Sequence, residues 1–369
     1  MSHPDVLVVG GGVVGIACAR ALAIAGASVE LLDDGTRPGA STGASAGILA
    51  PFADVKQDDP VLTLKIRGRD MYRELVPELR SETGIDARLW TGGILHLAFT
   101  QVEVDESLAA IAWQRQQSLV TDWLDPEDVQ QRAPGISRKA LGALLAAEDG
   151  ALDPIALLQA LRVSASRAGV HIVEGQRVQS LVRNNDVITG VLTSSGSQSA
   201  GAVVIAAGCW SGRIAGLPRP LTVEPIRGQM LALDWPAGEP TSIAFCHSGY
   251  VVRRGDEALV GATMEFAGFE PSVTADGLAQ LTAAAAQLYP ALAGRPVRRS
   301  WAGLRPGSPD RNPLVGQDPT VEGLWYATGH GRNGVLLAAV TAEIIVDLYT
   351  GQLIEHDLSG VDPARFWTY

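Results

Sequence analysis

Hydrophobic and polar positions at the start of the chain follow a strand–helix–strand pattern. Residues 5–9 form a short, mostly apolar run, which is typical of a strand buried on both faces of a parallel sheet. Residues 14–25 are rich in Ala, Ile and Leu and stop before Gly26, a residue that suits the left-handed end of a helix. Residues 28–32 form a second strand. The pattern therefore predicts a βαβ unit with a glycine-rich first turn.

Farther along, the pattern predicts two interleaved sets of elements. Helices are predicted at about 60–83, 103–118 and 154–168, and further strands at 171–174 and 202–206. Alternating residues predict an antiparallel sheet with strands at 88–99, 228–233, 242–253 and 258–264. We therefore predict a discontinuous dinucleotide-binding domain of residues 1–85, 150–220 and 300–369. Residues 86–149 and 221–299 form a second, antiparallel α+β domain that binds substrate.

Composition excludes several functional classes. The 369 residues are 46% hydrophobic and carry a net charge of −11 without a basic cluster, which argues against a nucleic-acid partner. Cys18, Cys209 and Cys246 lie far apart and lack the spacing of a metal or disulfide motif, so we predict no metal and a reduced, cytoplasmic setting. Charged residues interrupt the apolar stretches at 5–27 and 334–349, so no membrane span is predicted.

A glycine motif marks the first turn as a dinucleotide site. Gly10, Gly12 and Gly15 have the G-x-G-x-x-G spacing between the first strand and its helix. In this motif the first glycine permits the turn, the second admits a pyrophosphate and the third allows close packing of helix on strand. Asp33 ends the second strand, where a carboxylate accepts hydrogen bonds from ribose hydroxyls, and Asp34 is the competing candidate. The motif alone does not distinguish NAD from FAD.

Six ordered blocks give the chain a family resemblance along nearly its whole length. They are VVGGG at 8–12, SAGIL at 45–49, IAAGCWS at 205–211, VGATM at 260–264, WAGLRP at 301–306 and GHGRNGVLL at 329–337. In these blocks the chain resembles the D-amino-acid oxidase superfamily, and within it most closely the glycine oxidases of the thiamine thiazole pathway. The resemblance implies an α/β fold: a glutathione-reductase-like Rossmann FAD domain with a second, antiparallel-sheet α+β substrate domain.

The resemblance and the motif together predict an extended FAD site. Small residues and hydroxyls at 41–49 suit a loop along the flavin, and free amides at the start of the last helix would stabilise its reduced form. The alternatives are a plain surface loop and a plain glycine-rich helix cap. The predicted cofactor residues are Gly10, Gly12, Val13, Val14, Gly15, Asp33, Asp34, Ser41, Thr42, Ser45, Ala46, Gly47, Ile48, Leu49, Val178, Ala207, Gly208, Trp210, Arg305, His330, Gly331, Arg332, Asn333, Gly334, Val335 and Leu336.

Four residues are implied as catalytic. The resemblance implies that Arg305 binds the substrate carboxylate, because its planar guanidinium can form two parallel hydrogen bonds to it. It also implies that the hydroxyl of Tyr250 contacts the same carboxylate. The alternatives are an interdomain ion pair for Arg305 and a core position for Tyr250. Met264 borders the pocket over the flavin or only fills the core. Arg332 contacts pocket or flavin, or forms an ion pair at the helix start.

The chain departs from the family pattern near the substrate. Gly331 stands where an aromatic residue is common, which predicts a roomier pocket, and Ser248 occupies a position that can carry a polar ring. Ala338 and Ala339 replace the usual Ala-Pro. No cysteine lies between Arg305 and Gly316, where the sarcosine-oxidase branch attaches its flavin, so we predict that FAD is bound non-covalently.

The implied activity is oxidation of glycine, sarcosine or a small D-amino acid. A hydride passes from the α-carbon to flavin N5, oxygen reoxidises the flavin to give peroxide, and the imine hydrolyses. The alternatives are a dehydrogenase that passes electrons to a quinone or partner protein, and a flavin-bearing structural subunit of a complex. A nicotinamide-dependent enzyme is disfavoured because nothing outside the first βαβ unit indicates a second dinucleotide site. The predicted partners are a small amine or amino acid and molecular oxygen, and the resemblance suggests a homo-oligomer.

Overall fold

A parallel sheet in the computed structural model contains the predicted βαβ unit. The structure describes residues 3–35, 37–52, 59–117, 119–236 and 242–367. The six-stranded sheet has the order β18-β19-β12-β1-β2-β8. Its strands are β1 (Val6–Val9), β2 (Val29–Leu32), β8 (His171–Val173), β12 (Ala202–Ile205), β18 (Leu314–Gln317) and β19 (Leu324–Thr328). The sheet is parallel except at its edge, where β18 is antiparallel to β19. β1 pairs in parallel with β2 and β12, so their carboxyl ends meet at one edge, where ligands bind in such sheets.

Apolar helices cover the parallel sheet. They are α1 (Val13–Ile24), α3 (Leu62–Thr83), α6 (Pro154–Arg167) and α8 (Gly334–Thr350). α1 and α8 each bury most of their side chains, which join those of β1 and β2 in one core cluster. No helix in the described ranges is long and apolar enough to cross a membrane.

The second sheet has eight strands in the order β17-β13-β16-β15-β14-β4-β6-β5. Its strands are β4 (Ile94–Ala98), β5 (Thr121–Leu124), β6 (Gly142–Ala146), β13 (Glu224–Asp234), β14 (Ile243–Cys246), β15 (Gly249–Arg254), β16 (Glu257–Gly261) and β17 (Val297–Gly307). Neighbouring strands are antiparallel except for β14 and β4. The helices α4 (Gln101–Gln116), α5 (Pro126–Arg132) and α7 (Ala275–Leu288) accompany this sheet.

Three predicted strands have different limits in the structure. The strand predicted over 242–253 is a hairpin, because the chain turns at His247 and Ser248 between β14 and β15. The strand predicted over 88–99 is confined to β4, since Arg88 has a φ of 53° and Gly93 a φ of 81°. The strand predicted over 258–264 ends at Gly261, so Met264 lies beyond the sheet.

Two features were absent from the prediction. β9 (Val178–Asn184), β10 (Val187–Thr193) and β11 (Gly196–Ser199) form a separate three-stranded sheet. β17 crosses the predicted domain boundary at residue 300 and pairs with β13 along most of its length. The first residues of the predicted 300–369 piece therefore belong to the eight-stranded sheet, and the remaining division stays a prediction. Short α2 (Ser41–Ala44) and the paired β3 (Ile48–Leu49) and β7 (Gly150–Ala151) complete the connections near the parallel sheet.

Candidate active site

A cavity of about 1530 Å³ connects the carboxyl edge of the parallel sheet with one face of the eight-stranded sheet. At the parallel sheet it is lined by the glycine turn after β1 and by the chain ends of β2 and β12. At the other sheet it is lined by side chains of β4, β13, β14, β15 and β17. This cavity exceeds the usual volume of a site for one small ligand, roughly 300–1000 Å³. It therefore has room for a cofactor and a substrate together.

Two glycines of the motif are required by the packing of the turn. Gly10 has a φ of 111°, and a Cβ there would lie 2.5 Å from the carbonyl oxygen of Ala206. A Cβ on Gly15 would lie 1.9 Å from the carbonyl oxygen of Gly10. Gly15 does not line the cavity, so its role is the close packing of α1 on β1. Gly12, Val13 and Val14 do line it, at the N-terminus of α1.

Of the two candidate carboxylates, Asp33 faces the glycine turn. A Cβ on Gly11 would lie 2.0 Å from Asp33 Oδ2, so that carboxylate lies directly over the turn. Its Oδ1 accepts a hydrogen bond of 3.0 Å from the amide of Gly35. Asp34 instead forms an ion pair with Arg37, although both aspartates line the cavity. The geometry favours Asp33 as the group that meets a dinucleotide ribose.

The hydroxyl-rich segment 41–49 forms hydrogen bonds both to the start of α1, beside the glycine turn, and to β17 of the eight-stranded sheet. Thr42 Oγ1 accepts a hydrogen bond of 3.2 Å from the amide of Val13, and Ser41 Oγ donates one of 2.5 Å to the carbonyl oxygen of Leu304. Ser45 Oγ accepts from the amide of Gly47 at 3.0 Å. The contact of Thr42 with Val13 was not predicted, because no local pattern indicates it. The loop positions the cavity wall as well as lining it.

Three other predicted cofactor residues lie behind the cavity wall. Gly47 has a φ of 72° and backs onto Leu152, whose carbonyl oxygen would lie 2.0 Å from an added Cβ. Leu49 and Leu336 are each only 1% exposed and belong to the hydrophobic core. These three residues do not line the cavity, and their contact with the cofactor stays a prediction. Ala46, Ile48, Val178, Ala207, Gly208 and Trp210 do line the cavity.

The start of α8 also lines the cavity. Gly334 and Val335 lie in the first turn, where backbone N–H groups have no acceptor within the helix. Asn333 precedes them and its side chain does not cap the helix. Gly331 has a φ of 54°, and its amide donates a hydrogen bond of 2.7 Å to the carbonyl oxygen of Pro306. This helix N-terminus favours negative charge beside it.

Two basic side chains flank that helix start. His330 is 2% exposed and its Nε2 lies 3.0 Å from Thr341 Oγ1, and burial lowers its pKa to about 3. His330 is therefore a neutral ring at physiological pH. Arg332 lines the cavity with its side chain exposed to solvent there, and partial desolvation by the surrounding protein lowers its pKa to about 10. It remains a cation and lines the cavity as predicted.

Arg305 and Tyr250 come together on the eight-stranded sheet. Arg305 Nη1 donates a hydrogen bond of 2.9 Å to the carbonyl oxygen of Thr263. A Cβ on Gly228 would lie 2.3 Å from Arg305 Nη2, so the guanidinium lies flat over that glycine. Desolvation lowers the pKa of Arg305, and the negative charge of Glu265 opposes the shift. Tyr250 has only the sulfur of Met230, at 3.9 Å, as a hydrogen-bond partner among the described residues.

A network behind the guanidinium fixes the carbonyl that holds it. Thr263 Oγ1 donates to Glu265 Oε1 at 2.5 Å and accepts from the amide of Gln229 at 2.9 Å. Burial by itself would raise the pKa of Glu265, but hydrogen bonds from Thr263, Arg227 and Gln229 outweigh it and lower that pKa. Met264 follows Thr263 and lines the cavity, with 47% of its surface exposed. Sequence reasoning missed this network because it joins β13 to the segment after β16, which lies more than thirty residues later in the chain.

The described residues contain no group of three or more His, Cys, Asp or Glu side chains that could hold a metal ion. The groups that line the cavity and can bind a ligand include the glycine turn, the α8 start and the Arg305–Tyr250 pair. These three features surround one cavity and come from both sheets.

Comparison with known proteins places these features in a family context. Residues 5–348 match the DAO family, described as FAD dependent oxidoreductases. The bifunctional protein ThiO/ThiG of Synechocystis sp. is 35% identical over 99% of this chain, and the match covers 54% of that relative. The chain thus spans about half the length of the bifunctional relatives that it matches.

Shorter relatives match along nearly their whole length. The glycine oxidase of Pseudomonas aeruginosa is 33% identical over 94% of this chain and 95% of its own. The crystal structure of glycine oxidase from Geobacillus kaustophilus superposes with a TM-score of 0.94 at 30% identity, covering 100% of both chains. The fold class predicted from the sequence is confirmed by this superposition.

Proposed function

Since this chain belongs to the DAO family of FAD dependent oxidoreductases, we propose that it oxidises glycine or another small amine or amino acid with molecular oxygen as acceptor. The substrate loses a hydride from its α-carbon and a proton from its nitrogen, which gives an imine. Water then converts the imine into a 2-oxo acid and ammonia. Oxygen takes up the two electrons and two protons and becomes hydrogen peroxide.

The residues of the parallel-sheet edge fit FAD. The turn at Gly10 and Gly11 leaves no space for side chains, and Asp33 lies over it as an acceptor for ribose hydroxyls. The first turn of α8 supplies backbone donors and positive potential for a ring that gains negative charge on reduction. When bound, the flavin accepts the hydride and passes the electrons on. These contacts are non-covalent.

The observation that carries the proposal is the cation of Arg305 inside the cavity. Among the described residues its guanidinium has one hydrogen bond, to the carbonyl oxygen of Thr263, and it lies beside Tyr250. Because desolvation penalises an unneutralised guanidinium, the site favours an anionic ligand with planar geometry. A substrate carboxylate is such a ligand, and the two side chains would orient the α-carbon that it carries.

Tyr250 acts as a neutral donor in this arrangement. Desolvation raises its pKa, while the charges of Arg305 and Arg254 oppose the rise, so the hydroxyl keeps its proton at neutral pH. A protonated phenol donates to a carboxylate, whereas a phenolate would repel it. The residues thus bind and orient the substrate, and the reactive form is the one whose amine has already lost its proton.

The test is anaerobic mixing of the holoenzyme with glycine, sarcosine and a panel of small D-amino acids. Loss of the flavin's visible absorbance with one of these amines, followed by fast recovery and peroxide on admission of air, supports the proposal and names the substrate. Slow recovery in air would instead identify a dehydrogenase with another acceptor. If no amine of the panel reduces the flavin, the amino-acid assignment is wrong.

A further inference from the structure

The first turn of α8 is held from behind by α3. The hydroxyl of Tyr72, on α3, donates a hydrogen bond of 2.5 Å to the carbonyl oxygen of Val335. Gly68 lies one helical turn before Tyr72 on the same face of α3, and a Cβ there would lie 2.4 Å from the carbonyl oxygen of Leu336. α3 therefore contacts α8 at two successive carbonyl groups and fixes where its first turn lies.

Tyr72 makes this contact as a neutral donor. The residue is fully buried, and burial raises the pKa of its hydroxyl, so the phenol keeps its proton. Within the described part of the chain Val335 is the only hydrogen-bond partner of that hydroxyl. A phenylalanine would fill nearly the same volume without burying a polar atom. The particular contribution of the hydroxyl is thus its bond to α8.

The hydrogen bond acts on a peptide group at the helix N-terminus. The carbonyl of Val335 and the amide of Leu336 belong to the same peptide group. A carbonyl oxygen has two lone pairs, so it can accept the phenol in addition to its bond within the helix.

The amides of this first turn are available to a ligand. Those of Gly334, Val335 and Leu336 donate to no acceptor among the described residues, and the N–H groups of a helix point toward its N-terminus. Gly334 and Val335 line the cavity. Hydrogen bonds in series polarise one another, so a donor on the Val335 carbonyl strengthens the N–H of the same peptide group.

We propose that Tyr72 is a positioning residue that raises the reduction potential of the bound flavin by holding and polarising the first turn of α8. A flavin gains negative charge on reduction, so stronger donors beside it favour the reduced form over the oxidised one. Tyr72 does not line the cavity and is not part of the carboxylate clamp, defined as Arg305 and Tyr250. The inference rests on the proposed function for the position of the flavin beside α8.

The test is the reduction potential of the holoenzyme, measured without any amine by anaerobic equilibration with reference dyes. Removing the hydroxyl in Tyr72→Phe is expected to weaken binding of reduced flavin, relative to oxidised flavin, by roughly 3- to 10-fold, as for one buried neutral hydrogen bond. For a two-electron couple this change lowers the potential by about 14–30 mV. A folded Tyr72→Phe variant with the potential of the parent would overturn the inference.

Tyr289→Phe is the matched control. Tyr289 is 2% exposed, its hydroxyl donates a hydrogen bond of 2.6 Å to the carbonyl oxygen of Ser242, and it does not line the cavity. The control variant should lose a similar amount of thermal stability but keep the potential of the parent. If both variants lower the potential equally, the effect is a general loosening of the fold and the inference is wrong.

The affinity for oxidised FAD separates positioning from a merely structural role. The potential depends on the ratio of the affinities for reduced and oxidised flavin, so a loss that weakens both equally leaves it unchanged. Titration of the Tyr72→Phe apoprotein with oxidised FAD should therefore show a smaller loss than the one calculated for reduced FAD. Equal losses in the two states would refute the proposal.

Gly68→Ala provides a second variant that does not depend on the hydroxyl. Its Cβ would meet the carbonyl oxygen of Leu336 and must displace the turn, so the potential should again fall. Melting curves show which variants fold, and Gly68→Ala decides if Tyr72→Phe does not. An unchanged potential in folded Gly68→Ala would then overturn the inference.

The proposed function fails separately. If no amine of the panel reduces the flavin but Tyr72→Phe lowers the potential and Tyr289→Phe does not, the positioning role stands and the reaction is wrong. If an amine reduces the flavin but the potential is the same in all variants, the reaction stands and the positioning role is wrong.

Discussion

Replacing Arg305 by Lys tests the carboxylate clamp most directly. The substitution retains a positive charge but replaces a planar fork by a single ammonium. Arg305 already uses one N–H on the carbonyl oxygen of Thr263, so its remaining donors are the ones available to a substrate. Lysine can satisfy that carbonyl or the carboxylate, but it cannot offer two parallel hydrogen bonds to the carboxylate.

The expected effect follows from the loss of one charge-assisted hydrogen bond. Such a bond contributes about 1.5–3 kcal/mol, which corresponds to a fall in kcat/KM of roughly 10- to 100-fold. Because the carboxylate does not change during the reaction, most of the loss should raise KM. A smaller fall in kcat is expected, since a carboxylate held by one bond orients the α-carbon less well.

The assay is anaerobic reduction of the flavin over a range of glycine concentrations, which separates binding from the limiting rate. Arg299→Lys is the matched control, because Arg299 lies on the same strand, pairs with Glu257 and has 52% of its side chain exposed. That variant should stay within about twofold of the parent, as expected for an exposed pair. If Arg305→Lys also stays within that range, Arg305 is an interdomain structural residue and the clamp is wrong.

Other predictions concern the cofactor site and acid stability. Gly10→Ala should yield protein with little flavin, judged by the ratio of visible to protein absorbance, because φ is 111° and the added Cβ meets backbone. Asp33→Ala should weaken FAD binding by roughly 10-fold or more and Asp34→Ala by less than about twofold, measured by titration of the apoprotein. Burial lowers the pKa of His330 to about 3 in the folded protein, compared with about 6.5 in the unfolded chain. The neutral ring therefore contributes its full stability above about pH 6.5, and that contribution is lost as the pH falls toward 3. Melting temperature should therefore fall less between pH 7 and 5 in His330→Gln than in the parent, while the exposed control His171→Gln should behave like the parent.

The parts that local sequence could predict are the parts built from neighbouring residues. The strand at β1, its glycine turn and α1 follow from a continuous apolar run and from glycines whose positions allow no side chain. The hairpin of β9 and β10 was missed although the chain offered a signal, since Asn184, Asn185 and Asp186 are typical turn residues. Asn185 adopts a φ of 52° there.

The parts that could not be predicted depend on strand register over long separations. Nothing near His96 in sequence indicates that it lies beside Phe245, because that contact comes from the parallel pairing of β4 with β14. The hydrogen bond between Thr42 and Val13 likewise joins a loop to a helix start that comes well before it in the chain. Family resemblance identified Arg305 and Tyr250, but it did not show which carbonyl holds the guanidinium.

The two ends of the cavity are built from different elements, so they can be altered independently. Arg305, on β17, is held by the carbonyl oxygen of Thr263, which follows β16, and Thr263 is held in turn by the network around Glu265. The wall at the other end is formed by α4, β4 and β6, and in the described structure none of their side chains takes part in that network. Substitutions on the cavity side of α4 are therefore expected to leave Arg305 and Tyr250 in place.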